Sequence, residues 1–325
     1  IAVKREPTIE VVRQLRGKGC GGAVIYASGF AETGDAHLQE AMLNAADGMP
    51  LMGPNCYGFV SALDSAALWP DEHGLDPIAS GVAIITQSGN IACNFAMTRR
   101  ALPVAGLYAI GNQADVDMAQ MVEALAQDPR ITAIGLHIEG LPDVAGFARA
   151  AMIARDQRKP IIALKTGRSE QGAKVAMSHT SSLAGADTLY DALFDRCGIA
   201  RMTSASAFLE TPKFLHHGGA IRDSRLVSMS CSGGEAALVA DMAIEKKVSF
   251  PPFDTCTRPK VAATLNEFVT IDNPLDYHTF IWGRREQLEN TFAVALEGRF
   301  DAAMLILDTP THPAMKPDAW QLTAR

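Results

Sequence analysis

Val82-Ala-Ile-Ile-Thr-Gln-Ser-Gly-Asn90 starts as an apolar run and ends in hydroxyl, amide and glycine residues. A short apolar run closed by turn residues reads as a buried strand. Serine ahead of a helical pattern reads as its cap. The stretch therefore predicts strand, tight turn and helix, with the helix over 90–100. A helix start leaves N–H groups unpaired and carries about half a positive charge. Gln87, Ser88, Gly89 and Asn90 are thus candidate phosphate-binding positions, against the plainer reading of simple helix capping.

The same alternation extends outward. Apolar strands are predicted at 82–85, 105–110, 131–138, 160–164 and 199–202, each followed by a helical pattern. That order predicts an α/β domain with a parallel, doubly wound, flavodoxin-like sheet. Ligand loops of such sheets lie at the carboxyl ends of the strands. Upstream, helix 7–17, strand 23–26, helix 36–46 and strand 50–52 make part of another doubly wound unit, with 77–80 as a linker. Downstream, strand 226–229, helix 234–246, strand 248–250, loop 272–276, helix 284–296 and strand 302–307 predict a third. The expected domains are 1–78, 79–219 and 220–325, the last incomplete. The chain opens without Met on Ile1-Ala-Val and stops inside a helical pattern, so it is expected to be a fragment of a longer polypeptide.

Bulk properties narrow the class. Of 325 residues, 48% are apolar and 20% charged, as in globular proteins. A net charge of −7 gives no general reason to bind nucleic acid or an anionic membrane. No apolar run approaches the ~20 residues of a bilayer span, and no signal peptide is evident. The six cysteines are scattered without a CxxC pair, which predicts reduced thiols, a cytoplasmic location and no zinc site. The GxGxxG and GxxxxGK[ST] signatures are absent, against a dehydrogenase or a P-loop ATPase.

Lys165-Thr-Gly-Arg-Ser-Glu-Gln-Gly-Ala-Lys-Val-Ala-Met-Ser-His-Thr-Ser-Ser-Leu-Ala-Gly185 places His179 in a loop of small residues after a strand. Small residues let backbone approach a phosphate closely. Ser232-Gly233-Gly234 repeats the strand-to-helix opening of Ser88-Gly89. One loop histidine and two helix starts suggest a phosphorylated histidine held between them. A nucleophilic imidazole needs an acceptor on its second nitrogen, and Glu139 at a strand end is the candidate. His37, His73, His216, His217 and His312 lack such surroundings, and His278 is open to either reading. His137, inside an apolar strand, reads as a satisfied core residue, and Cys56 as packing in a turn.

These motifs resemble, in order and nearly end to end, the NDP-forming acyl-CoA synthetases, the superfamily of succinyl-CoA synthetase and ADP-forming acetyl-CoA synthetase. The resemblance implies a reaction of a small carboxylic acid, CoA and ATP with Mg2+, through acyl phosphate and a phosphohistidine. His179 matches that histidine and Glu139 the glutamate that orients it. Ser88-Gly89 and Ser232-Gly233-Gly234 match the helix openings for its phosphate. Ser28, Gly29 and Phe30 with Gly53, Pro54 and Asn55 match segments near the CoA thiol and acyl group. Tyr277, Phe280 and Trp282 form an aromatic run that is expected to line the acyl pocket, with core packing as the plainer reading. The ATP-grasp domain that binds nucleotide is expected in the same polypeptide or in a separate subunit, and a homo-oligomer is expected. The family's usual His-Thr-Gly reads His179-Thr180-Ser181 here. The competing classes are a non-catalytic CoA or acyl-CoA sensor in a protein acyltransferase and a nicotinamide-dependent oxidoreductase.

Overall fold

The computed structural model describes residues 1–172, 174, 187–310, 312, 314–315, 318 and 320–321. The chain divides into two units, Ile1–Gly219 and Ala220–Arg325.

The first unit opens with α1 (Arg5–Gly17) and α2 (Ala36–Ala46) packed beside a parallel pair, β1 (Ala23–Val24) and β2 (Leu51–Met52). Val12, Ile25, Phe30, Met42 and Leu51 fill the space between them with no exposed surface. Each such side chain contributes roughly 1.5–3 kcal/mol by burial.

A hairpin of β3 (Gly58–Ser61) and β4 (Ala66–Leu68) follows. β3 pairs antiparallel with β6 (Val104–Ala109), so the hairpin extends the next sheet. The strands β5 (Gly81–Thr86), β6, β7 (Ile131–Ile138), β8 (Ile161–Lys165) and β9 (Ala200–Met202) are parallel to one another. The full order is β4-β3-β6-β5-β7-β8-β9, and the parallel part has the flavodoxin-like order that the alternating pattern predicts. β5 is buried along its whole length because helices cover both faces. On one face α4 (Met118–Gln127), α5 (Val144–Asp156) and α6 (Asp187–Cys197) bring Val122, Phe147 and Phe194 to the core. On the other, α3 (Gly89–Ala96) and α7 (Ala205–Gly218) bring Phe95 and Phe208, stacked with centroids 5.4 Å apart. α4 starts on a reciprocal Asp117–Gln120 capping box.

In the second unit β10 (Leu226–Ser230) lies between β11 (Leu275–Asp276) and β12 (Ala302–Leu305), all parallel. Here too the first strand is central, as β5 is between β6 and β7. The helices are α8 (Gly233–Lys246), α9 (Thr257–Thr264) and α10 (Arg285–Ala295). Tyr277 and Phe292, with centroids 5.4 Å apart, centre a core with Val227, Met229 and Leu288.

Two local expectations fail in this unit. Residues 248–250 make a single bridge, Arg225 to Ser249, and not a strand. Pro251 and Pro252 follow at once, and proline has no N–H to continue a ladder. The loop 272–276 contains β11, whose two residues are too few to show a period. α9 was not expected at all. Among the described residues no helix is long and apolar enough to cross a membrane.

Candidate functional site

At the carboxyl end of β5 the chain turns directly into α3. The Thr86 hydroxyl donates to the Ser88 carbonyl at 3.2 Å and accepts from the Ser88 N–H at 3.1 Å. Ser88 is the cap of α3, its Oγ accepting from the Ile91 N–H at 3.4 Å. Gly89 is required for space, because a β-carbon there would lie 2.2 Å from the Tyr57 ring. Asn90 is exposed in the first turn. Gln87 departs from its expected role. Its carboxamide is buried, with Nε2 donating to the Gly140 carbonyl at 2.8 Å. Its Oε1 accepts from the N–H groups of Gly140, at 3.0 Å, and Glu139. The side chain points inward because the turn after β7 offers it every polar partner it needs, which leaves an anion only the Gln87 backbone.

Glu139 stands at the carboxyl end of β7, and the turn it opens is held from two further elements. Lys165, at the end of β8 and only 3% exposed, donates from Nζ to the carbonyls of Glu139, at 3.0 Å, and Thr166. Its ammonium also lies over the Tyr190 ring, 4.7 Å from the centroid. Burial holds the Lys165 pKa below the usual lysine range, partly offset by Asp187. The Tyr190 hydroxyl, from α6, accepts from the Leu141 N–H at 3.2 Å. His137, one pleat before the turn, is a core residue as expected. Nδ1 meets the Thr86 hydroxyl at 2.9 Å and Nε2 the Thr166 hydroxyl at 3.3 Å. Burial, then the nearby Lys165 charge, lowers its pKa to about 4, so the ring is neutral at pH 7.

His179 and its flanking residues 175–186 lie outside the described residues. Among the described residues on either side of them in sequence, Arg168 pairs with Asp187 at 3.4 Å, and Arg201 with Asp187 and Asp191.

The candidate CoA and acyl segments converge at the same sheet edge. Gly53, joined to Pro54 by a cis peptide, and Asn55 both have positive φ. The Asn55 N–H donates to Ala27 at 2.8 Å, tying the turn to the Ser28-Gly29 loop. The Glu32 carboxylate accepts from the N–H groups of Gly29 at 2.6 Å and Phe30 at 3.1 Å, and from Asn112 Nδ2 at 2.6 Å. Asn112 in turn accepts from Asn55 Nδ2 at 3.3 Å. Gly111 has φ +58° and sits so close that a β-carbon would be 2.4 Å from the Pro54 and Asn55 carbonyls. Arg5 donates to the Gly29 carbonyl at 2.6 Å and to Asp35 at 2.7 Å. Ser28 and Asn55 are exposed, Gly29 half-buried and Gly53 and Pro54 buried. Phe30 is a correction: its ring is fully buried in the α1–α2 core, so only its backbone faces this edge. Cys56 packs as expected. Its Sγ faces the Ile25 carbonyl at 3.2 Å, and burial raises the thiol pKa to about 11.

In the second unit Ser232 precedes α8 in extended backbone, without a side-chain cap bond. Ser230 donates to the Ser232 carbonyl at 3.1 Å, as Thr86 does to Ser88. The two openings therefore share a local design. They differ in charge: a β-carbon on Gly233 would lie 3.2 Å from the Asp276 carboxylate. Glu235, one residue beyond Gly234, has its pKa raised by burial and by Asp308. Trp282 packs edge-on to Trp320 with centroids 5.9 Å apart. Tyr277 is a core residue, not a pocket wall, and Phe280 is half exposed beside His278. Among the described residues no group of three or more His, Cys, Asp or Glu is placed to hold a metal ion.

The signals for Gln87, Lys165, Glu32 and Asn112 were faint in sequence. Each is a polar residue at or next to a strand end, where side chains satisfy turn backbone.

Residues 79–215 match the succinyl-CoA ligase like flavodoxin domain family. The chain is 31% identical over 278 residues to an ADP-forming acetate–CoA ligase of Methanocaldococcus jannaschii, covering 82% of this chain and 38% of that one. It is 29% identical over 310 residues to the alpha subunit of an ADP-forming acetate–CoA ligase II of Pyrococcus furiosus, covering 92% and 66%. The dinucleotide forming acetyl-coenzyme A synthetase 1 of Ca. Korarchaeum cryptofilum, solved with phosphate and ADP, superposes with a TM-score of 0.86 at 25% identity, over 94% of this chain and 66% of that one. The chain thus spans from 38% to 66% of the length of these proteins.

Proposed function

This chain belongs to the ADP-forming acyl-CoA synthetase family, and on that premise we propose that its full protein joins a small carboxylic acid to CoA while ATP is cleaved to ADP and phosphate. One observation carries the reading. The Gln87 carboxamide ties the opening of α3 to the Glu139 turn, so an anion-binding helix start and a carboxylate share one sheet edge.

The chemistry follows from those parts. A ring nitrogen of His179 attacks the γ-phosphorus in line, and the bond to the ADP oxygen breaks. Glu139 accepts a hydrogen bond from the other ring nitrogen and keeps the attacking one unprotonated. N–H groups at helix openings stabilise the phosphoryl oxygens. A substrate carboxylate oxygen then takes the phosphoryl group, giving an acyl phosphate. The CoA sulfur adds to its carbonyl carbon and phosphate leaves.

Of the two openings, α3 has the stronger case in the described residues, because the Asp276 carboxylate beside Gly233 opposes a second anion at α8. Ser28, Gly29, Gly53, Pro54 and Asn55 bring backbone to the thioester-forming end. An ATP-grasp domain, fused or separate, holds the nucleotide and its Mg2+. A CoA sensor would have no use for the Glu139 arrangement.

The test is phosphoryl transfer. With γ-labelled ATP and Mg2+, the full-length protein and its ATP-grasp domain should take up acid-labile, base-stable label that His179→Ala lacks. A folded, ATP-binding wild type without such label would refute the ligase reading.

A further inference from the structure

Among the described residues, side chains and not backbone bonds support the turn after β7. The last ladder bond there runs from the Thr166 N–H to the Ile138 carbonyl at 3.0 Å. Beyond it, side chains satisfy the backbone of Glu139, Gly140 and Leu141. Gln87 takes the N–H groups of Glu139 and Gly140 and gives to the Gly140 carbonyl. Lys165 gives to the Glu139 carbonyl, and Tyr190 takes the Leu141 N–H. Those side chains come from the β5–α3 turn, the end of β8 and α6.

We propose that Gln87 and Lys165 are positioning residues that fix the Glu139 peptide from both sides, so that the Glu139 carboxylate keeps one orientation through phosphoryl transfer. The proposal rests on the ligase reading above.

Two physical points support it. Turn backbone is ordinarily satisfied by short local bonds or by water. Here both peptides flanking the Glu139 side chain are tied to separate elements, so the backbone that carries the carboxylate is held in place. The second point is the ammonium of Lys165. A buried cation costs stability unless compensated, and its hydrogen bonds go to two neutral carbonyls. An apolar residue would pack there without that cost but would leave the Glu139 carbonyl unsatisfied. A shift of about 1 Å in a catalytic group lowers rate by as much as ~100-fold.

A double-mutant cycle on the rate of histidine phosphorylation tests this, using the full-length protein with its ATP-grasp domain. Lys165→Met should slow phosphorylation roughly 10- to 100-fold, with the KM for ATP unchanged. In a Glu139→Gln background the same substitution should cost less than about twofold, because the group it positions is already gone. Gln87→Met, measured the same way, should behave alike and serves if Lys165→Met does not fold. Equal losses in both backgrounds, or no loss in either, would overturn the proposal while leaving the ligase reading intact. A wild type that takes no label would overturn both.

Discussion

The Thr86 hydroxyl lies 2.9 Å from Nδ1 of His137, in the dry centre of the seven-stranded sheet. With Thr166 on the opposite nitrogen, the imidazole bridges the carboxyl ends of β5, β7 and β8. Those three ends carry the α3 opening, Glu139 and Lys165. The parallel ladder sets these ends side by side, and a neutral ring links them.

His137 should therefore make the protein acid-sensitive. Its pKa is about 4 folded, against about 6.5 unfolded. Between these values the unfolded chain binds the extra proton, so stability falls as pH falls from 6.5 to 4. The loss from this group is roughly 3 kcal/mol across the window. Urea midpoints measured against pH should fall less steeply for His137→Gln. Parallel curves would assign the acid sensitivity to other groups.

Gly89 is fixed by the Tyr57 ring, 2.2 Å from where a β-carbon would stand. Gly89→Ala should destabilise by roughly 1–3 kcal/mol through overpacking. Tyr57→Val in the same chain should recover most of that in chemical denaturation. No recovery would mean that backbone and not the ring sets the requirement.

Asn112 links Glu32 to Asn55. Asn112→Ala should loosen the Ser28-Gly29 loop against the Pro54 turn. The expected kinetic signature is a raised KM for CoA with histidine phosphorylation by ATP unaltered. A slower phosphorylation step would place Asn112 elsewhere in the reaction.

Cys56 is buried and its thiol pKa is pushed up to about 11, whereas Cys20 and Cys256 are exposed. Iodoacetamide at pH 8 should label Cys20 and Cys256 and spare Cys56 in the native protein. Peptide mass spectrometry reads the sites directly. Rapid labelling of Cys56 would show that the turn opens in solution.

Much of the fold was legible in the chain because parallel strands covered on both faces read as continuous apolar runs. Val82 to Ile85 and Ile131 to Ile138 announce themselves in this way. The hairpin of β3 and β4 did not, since Ala66–Leu68 is exposed and patternless and Gly58–Ser61 owes its place to pairing with β6, far along the chain. Phe30 looked like part of a loop motif, yet the gap between α1 and α2 claimed its ring.

The sequence by itself determined the alternation of strand and helix, the serine-capped helix start at Ser88 and the strand end at Glu139. All are local: periodicity, capping and turn chemistry act over a few residues. Only the tertiary structure decided that the Gln87 side chain turns inward to the Glu139–Gly140 backbone, that Lys165 is buried, and that His137 joins Thr86 to Thr166. These depend on which polar groups meet when distant strand ends are brought side by side and water is removed. A buried donor must then take whatever acceptor the fold presents.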